Sequence, residues 1–309
     1  MKLQNLRYFV GIAEHGSFSR AAERMHISQS ALSRQMQILE NELGVMLFDR
    51  IGRRIVLTPA GQDLLARSQT VIHDVEAITT RASELAGGGT GALRLGVTPQ
   101  TLESLVSRFI SHFSGKFPEA TITFVEDGSA NLIEMVEKGQ VDVAIAALPQ
   151  GSTLESKALF PLAVLCVVPS GHRLKGRTSI RVEDLKDEPL LLLQRQFMTR
   201  QLFDGACRLA NLKQQILIES NSPHSLLSLV TTQLGIAVVP STFLLNKLQS
   251  NALLLKHQHT PISCSISAIW HPRRYRSSIS QAFVDELSCY TRTDYPGSHL
   301  LLSDHSASS

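Results

Sequence analysis

Apolar residues recur every three or four positions through most of the first 85 residues. Leu6, Phe9, Val10 and Ala13 are spaced for a first helix with one apolar face, and Gly16 ends it. Ser17 is placed to cap a second helix through "FSRAAERM", in which Ala21 and Ala22 let another helix approach closely. "HIS" then turns the chain, and Ser28 sits where the N-cap of a third helix belongs. That helix starts at Gln29. Its apolar positions, Leu32, Met36, Leu39 and Leu43, are spaced by four, three and four. Ser30, Ser33, Arg34 and Gln37 fall on the opposite face, and Gln29 leads the first turn. "MLFDRIGRRIVLT" alternates as strand, turn at Gly52 and strand, a hairpin directly after the third helix.

Thr58 and Pro59 suit the cap and first position of a long helix, interrupted only by Gly61 before Gly87. At ~1.5 Å per residue it would be roughly 40 Å long. Leu64, Ser68, Val71, Val75, Ile78, Ala82 and Leu85 alternate by four and three, an a/d seam. A lone helix with such a seam needs a partner. The same helix of a second chain is the simplest one; the chain's own C-terminal body is the alternative. "AGGGTG" (Ala86–Gly91) reads as a flexible hinge.

From Ala92 the pattern changes to strands alternating with helices. "ALRLGV", "ATITFVE", "VDVAIAAL" and "LAVLCVVPS" read as strands, with "LESLVSRFISHFSGKFP" and "NLIEMVEKG" as helices between them. A second set follows: "PLLLL", a helix near Met198–Leu212, "QILIES", a helix near Pro223–Leu234, and "GIAVVP". "CSISAIW" is a late strand and Ser277–Tyr290 a last helix. Two α/β units with mostly parallel strands predict two lobes, with a ligand at strand C-terminal ends and helix N-termini between them. Thr98, Gln100 and Thr101 follow the first strand, Gly128 and Ser129 the second, Gln194 to Met198 "PLLLL", and Ser222, His224 and Ser225 "LIES". Hydroxyls and amides at helix N-termini favour an anion, and Arg195, Arg200 or His224 could add a charge. Each of these residues also suits a helix cap.

Composition narrows the class. With 43% hydrophobic and 18% charged residues, a chain of 309 builds globular cores, in two or three domains. Net charge is +3, unevenly placed: residues 1–58 hold eight basic and five acidic side chains, with Arg50, Arg53 and Arg54 clustered at the hairpin. A basic module on a near-neutral body points to nucleic acid. Cys166, Cys207, Cys264 and Cys289 are far apart, so no zinc site or disulfide framework is indicated. Met1 leads straight into a polar, amphipathic segment and no apolar run approaches ~18 residues, so a cytoplasmic protein without a membrane span is expected.

The N-terminal pattern is a helix-turn-helix followed by an arginine-bearing wing. Gln suits adenine, Arg suits guanine, and Ser serves bases or phosphates. Arginines of the wing suit a minor groove or phosphates. A small protein-interaction bundle with a solvated polar face is the competing reading of the helix. For an enzyme, the chain lacks a nucleophile elbow, a P-loop and a GxGxxG after a strand. His257 and His259, expected on one strand face without a nearby carboxylate, make a poor metal site. No cofactor or metal is expected.

Together the chain resembles the LysR-type transcriptional regulators. "LRYFVGIAEHGSFSRAAERMHISQSALSRQMQILENELGVMLFDR", "LTPAG", "GALRLGV", "VDVAI", "PSGHRL" and "QLGIAVVPS" carry the resemblance, which runs to about Arg292. It implies a winged helix-turn-helix over 1–58, a dimerising linker helix over 59–87, and a two-lobed α/β effector domain over 88–292. That domain is of the type II periplasmic-binding-protein kind, with lobe I about 92–161 and 267–292 and lobe II about 162–266. It implies a homotetramer, double-stranded DNA with an interrupted inverted repeat, a small-molecule effector and, for an activator, RNA polymerase as partners. By position, Gln29, Ser30, Ser33 and Arg34 would read the groove, and Arg50, Arg53 and Arg54 would contact DNA from the wing. Thr98, Gln100, Thr101, Ser129, Gln196, Phe197 and His224 would line the effector cleft, and Met198 and Ser222 adjoin them. The donor set suggests a small organic acid. Residues 293–309 extend past the family's usual end and read as mostly disordered. The family's peroxide sensors carry a close cysteine pair in the second lobe; here Cys207 sits alone in a helix pattern and Cys166 lies in an apolar strand, so a dithiol switch is not expected. A single-cysteine redox response through Cys207 is the alternative function, and core packing the plainer role for that thiol.

Overall fold

A computed structural model of the chain describes residues 1–51, 54–85, 91–243, 251–292 and 295–298. It contains two compact units, one of Met1–Gly91 with Glu134–Val141, and a larger one of the other residues from Ala92 onward.

The first unit comprises α1 (Leu3–His15), α2 (Phe18–Arg24), α3 (Gln29–Leu43), β1 (Phe48–Ile51), β2 (Arg54–Leu57) and α4 (Pro59–Leu85). Ser17 and Ser28 cap α2 and α3, their hydroxyls accepting from the Arg20 and Ala31 amides. The inner face of α3 (Leu32, Met36, Leu39) packs with Leu6, Phe9, Ile12, Ala21 and Ala22. Phe48 closes this core edge-on against Phe9 (5.5 Å) and Phe18 (6.0 Å). Leu43 departs from the expected inner face and is 36% exposed. Glu40 turns inward instead, its carboxylate accepting from the Leu47 (2.7 Å) and Phe48 (3.3 Å) amides. Those amides lie between a helix end and a strand start and need an acceptor once buried.

The wing strands are antiparallel, Phe48 opposite Leu57 and Ile51 opposite Arg54. Gly52 and Arg53 lie outside the described residues, as do residues 86–90 of the expected hinge. The Thr58 hydroxyl accepts from the Gly61 amide (2.9 Å) and donates to the Met46 carbonyl (2.7 Å), starting α4 and tying it to the wing. Leu64, Leu65 and Ile72 pack on the helical core. Further along, Val71, Ile78 and Leu85, seven residues apart, form an exposed apolar stripe (45%, 70% and 72%).

In the larger unit, β3 (Ala92–Val97) leads into α5 (Pro99–Thr101), a π-helical turn (Leu102–Val106) and α6 (Ser107–Lys116). β4 (Thr121–Glu126), α7 (Ser129–Lys138), β5 (Val143–Ala147), β6 (Glu155–Val167), β7 (Ser179–Arg181) and β8 (Pro189–Leu193) follow. Then come α8 (Met198–Leu209), β9 (Gln215–Ser220), α9 (Pro223–Thr231), β10 (Ile236–Pro240) and a 3-10 turn (Ser241–Phe243). The described chain closes with β11 (Ala252–His257), β12 (Thr260–Pro261), β13 (Ser263–Trp270) and α10 (Ser278–Tyr290). Strand order is β4-β3-β5-β13-β6-β10-β8-β9, with β11 also on β6. The outer strands are parallel, as the alternating pattern predicts. β6 and β13 run antiparallel to their neighbours.

β6 begins at Glu155, not at the expected Leu162, because its first half alternates on a surface instead of forming an apolar run. It serves both lobes: residues up to Ala163 pair with β13, and Val164–Val167 pair with β10. All of β13 lies in the first lobe's sheet, so Ser263–Ile266 depart from the expected second lobe. Phe109, Phe113 and Phe283 anchor the first lobe's core, and Leu190, Leu192, Phe203 and Ile236 the second's. β11 ends at His257 and a turn at Gln258 (φ 56°) follows, so His257 and His259 do not share a strand face. Residues 295–298 depart from the expected disorder: the Tyr295 ring stacks on Phe160 (6.0 Å, 23°). Residues 293, 294 and 299–309 lie outside the described residues.

Gly61 shows where packing overrides helix propensity. A Cβ there would overlap the Leu47 carbonyl oxygen. Ala is favoured over Gly in a helix by ~1 kcal/mol, but the clash is with backbone. Gly61→Ala is expected to lower stability by about 1–3 kcal/mol, read as a lower urea midpoint; an unchanged or higher midpoint would show that the contact relaxes freely.

Candidate functional site

The outer face of α3 is built by what its inner face buries. With Leu32, Met36 and Leu39 in the core, Gln29, Ser30, Arg34 and Gln37 are exposed and Ser33 is half-buried. Gln29 is already oriented, its Oε1 accepting from the Ser19 hydroxyl (3.0 Å), and the Ser30 hydroxyl meets that of Ser28 (3.1 Å). Arg50 and Arg54 occupy the two wing strands in register with Ile55 and Ile51. This arrangement gives a helix with amides, hydroxyls and a guanidinium outward, next to a basic hairpin.

The larger unit holds a cavity of about 540 Å³. Thr98, Gln100, Thr101, Ser129, Gln196, Phe197, Met198, Ser222 and His224 all line it, so every expected cleft residue is brought together. Four helices start there. Thr98 caps α5, its hydroxyl accepting from the Thr101 amide, and Ser222 caps α9 through the Ser225 amide. Asp127 accepts from the Gly128 amide (2.6 Å) and from Asn131 (2.9 Å) at the start of α7. Phe197, at the N-cap of α8, supplies no side-chain cap. Its first amides therefore lack the acceptor that Ser222 gives α9. Leu162, Leu193, Phe197, Met198, Phe243 and Ile266 form the apolar part of the lining.

The charges expected in this cavity are placed elsewhere. Arg200 is buried at 2% exposure, and its guanidinium is taken by Asp204 (2.8 Å), Glu219 (2.5 Å) and the Leu193 carbonyl (2.8 Å). A buried guanidinium needs such partners; its Nε and Nη1 are taken, and Arg200 is not among the residues that line the cavity. Arg195 lines a separate polar depression with Asp204, Cys207, Arg208 and Gln214. His224 does reach the cavity, but its Nε2 faces Glu103 (3.3 Å) and its ring meets Phe243 edge-on (4.2 Å). Among the described residues, no arginine or lysine lines the cavity; its acidic members are Glu103 and Asp127.

One lining residue escaped the sequence reading. Thr242 is 4% exposed, and its Oγ1 has no hydrogen-bond partner among the described residues. An unsatisfied buried hydroxyl beside a cavity marks where a polar ligand atom would be stabilised. It lies two residues past "GIAVVP", so the strand-end signature that marks Ser129 and Ser222 also reaches it.

The thiols present a different chemistry. Cys207 is buried beneath the polar depression, and burial pushes its pKa up to about 11. Burial likewise raises Cys166, which packs in the same core. A thiol so raised holds little thiolate at neutral pH.

The LysR substrate binding domain matches residues 86–291, and the bacterial regulatory helix-turn-helix protein, lysR family, matches residues 3–62. The HTH-type transcriptional regulator BsdA of Bacillus subtilis (strain 168) is 28% identical over 290 residues, covering 92% of this chain and 99% of its own. The DNA-binding transcriptional dual regulator OxyR of Escherichia coli (strain K12) is 30% identical over 242 residues, covering 78% of this chain and 79% of its own. A solved full-length OxyR variant from Pseudomonas aeruginosa superposes with a TM-score of 0.72 at 26% identity, covering 94% of this chain and 95% of that one. The chain belongs to the LysR family: it is a DNA-binding transcriptional regulator with a helix-turn-helix head and an effector-binding domain.

Proposed function

We propose that the protein binds an interrupted inverted repeat in double-stranded DNA and switches transcription in response to a small organic acid. Residues 1–58 read the DNA, 59–87 pair two chains, and 88–292 bind the effector. Two dimers make a homotetramer, and RNA polymerase is a further partner if the regulator activates. No helix among the described residues is long and apolar enough to cross a membrane; the proposed place of action is the cytoplasm.

The observation that carries the DNA reading is the division of α3, with its apolar residues in the core and Gln29, Ser30, Arg34 and Gln37 exposed. A recognition helix needs this division: one face fixes its pose and the other meets base edges. Arg34 is assigned to a base, with Gln29, Ser30, Ser33 and Gln37 beside it, and Arg50, Arg53 and Arg54 to the backbone or minor groove. The exposed stripe of Val71, Ile78 and Leu85 supports pairing of α4 with its copy, since apolar side chains at seven-residue spacing fit a coiled seam.

The acid reading rests on the uncapped start of α8 and the Thr242 hydroxyl at one cavity. A helix N-terminus stabilises an anion by about 0.3–1 kcal/mol, and by about 2 kcal/mol in partly buried geometry. Glu103 and Asp127 would repel a second negative charge, so a monocarboxylate with an apolar body fits better than a dicarboxylate. The alternative, redox control through Cys207, draws on the OxyR relatives but meets a buried, raised thiol.

Three outcomes follow. Arg34→Ala is expected to weaken operator binding by ~1–3 kcal/mol and relax preference at one base pair, whereas Arg53→Ala weakens binding to all sequences and flattens the salt slope by about one. Intact sequence preference in Arg34→Ala, measured by competition binding, would remove the base-reading assignment. Ile78→Asp is expected to abolish the dimer in sedimentation; a dimer at unchanged concentration dependence would place the interface elsewhere. In a thermal-shift screen, monocarboxylates with apolar bodies are expected to stabilise by ~2.7 kcal/mol at a hundredfold excess over Kd. Shifts from neutral apolar compounds alone would refute the acid.

A further inference from the structure

We propose that Tyr295–Ser298 is a positioning element of the effector cavity: it braces the strand crossover between the lobes and holds Thr242 and Phe243 in the cavity wall. The proposal rests on the reading of this cavity as the effector site.

The crossover lies between two residues. Ala163 of β6 pairs with Ser263 in the first lobe, and Val164 pairs with Pro240 in the second. At that step the Ala163 amide donates to the Ser241 hydroxyl (3.0 Å), which is almost fully buried. Ser241 opens the turn whose next two residues, Thr242 and Phe243, line the cavity. Its side chain therefore ties the crossover to the cavity wall.

The C-terminal segment packs on this tie from behind. Gly297 lies so close to Ser241 that an added Cβ would sit 2.7 Å from the Ser241 Cβ and 3.1 Å from its Oγ. Its φ of +82° also disfavours any side chain. Pro296 and Gly297 are buried, and the Ser298 amide closes the turn on the Tyr295 carbonyl (3.1 Å). The second anchor is Tyr295 on Phe160. Phe160 pairs in register with Ile266, which lines the cavity together with Leu162. Both anchors thus press on the outside of one wall, at the point where the lobes are joined. A contact that limits motion at a joint also limits how closely the lobes can adapt to a ligand between them, and the coupling is reciprocal.

Hydrogen exchange on the full-length protein tests this without a ligand. In Tyr295→Ala and Gly297→Ala, the Ala163 amide and the amides of 241–243 are expected to exchange about tenfold faster. The core amides of β3 and β8 keep their wild-type rates, and Tyr295→Phe restores the wild-type pattern. Unchanged rates at 163 and 241–243, or equal acceleration in β3 and β8, would overturn the brace. A second arm titrates benzoate as the probe. Its Kd is expected to weaken about five- to tenfold in Tyr295→Ala and to recover in Tyr295→Phe; equal Kd values in all three proteins would overturn the positioning of the wall. Benzoate that fails to bind the wild-type protein counts against the acid reading of the cavity, while the exchange rates still decide the brace.

Discussion

One strand carries the two-lobed body. β6 hydrogen-bonds with β13 as far as Ala163 and with β10 from Val164 onward, so neither lobe can be completed without it. Each lobe has its own core, and β6 passes from one to the other: Phe160 and Leu162 belong to the first, Val164 and Cys166 to the second. The cavity lies where this strand passes from one sheet to the other, with Leu162 and Ile266 in its lining. Helix starts are gathered there because parallel strands on both sides end facing the same gap.

The cavity's charge pattern follows from what its neighbours require. Arg200 sits seven residues from Leu193 in sequence and bonds its carbonyl, but Asp204, Glu219 and that carbonyl hold its Nε and Nη1, and it does not line the cavity. Leaving a buried guanidinium unpaired would destabilise the second lobe far more than a ligand contact would gain. For the effector proposed here, that leaves neutral donors and backbone dipoles in the lining. Such a site discriminates by where its hydrogen bonds point and by shape, more than by attraction to any anion.

Much of this was legible in the sequence, and the failures have physical causes. Leu32, Met36 and Leu39 declared their face through four-three spacing, because burial of a helix stripe has a fixed period. Leu43 kept the period yet faces solvent, since Leu47 arrives from beyond the helix and Glu40 is drawn inward by the Leu47 and Phe48 amides. That demand arises from tertiary contact, which no spacing within α3 records. The residues lining the cavity are readable because strand ends and capping residues leave local signatures, and Thr242, just past the end of β10, carries the same signature. Arg200 and the length of β6 were misjudged for another reason: both depend on neighbours distant in sequence. Tyr295 shows the same limit, for nothing in "TDYPGS" announces Phe160 as its partner.

The close approach at Gly61 reaches beyond stability. Because no methyl group separates α4 from the Leu47 carbonyl, and because Thr58 ties Met46 to the same turn, the head and the start of α4 form one rigid piece. In a dimer joined along α4, the distance between the two recognition helices is then set by helix length and pairing register, with no slack at the neck. The number of base pairs between half-sites becomes a property of the protein's own geometry, and operators with a shorter or longer spacer must bend or twist to be read.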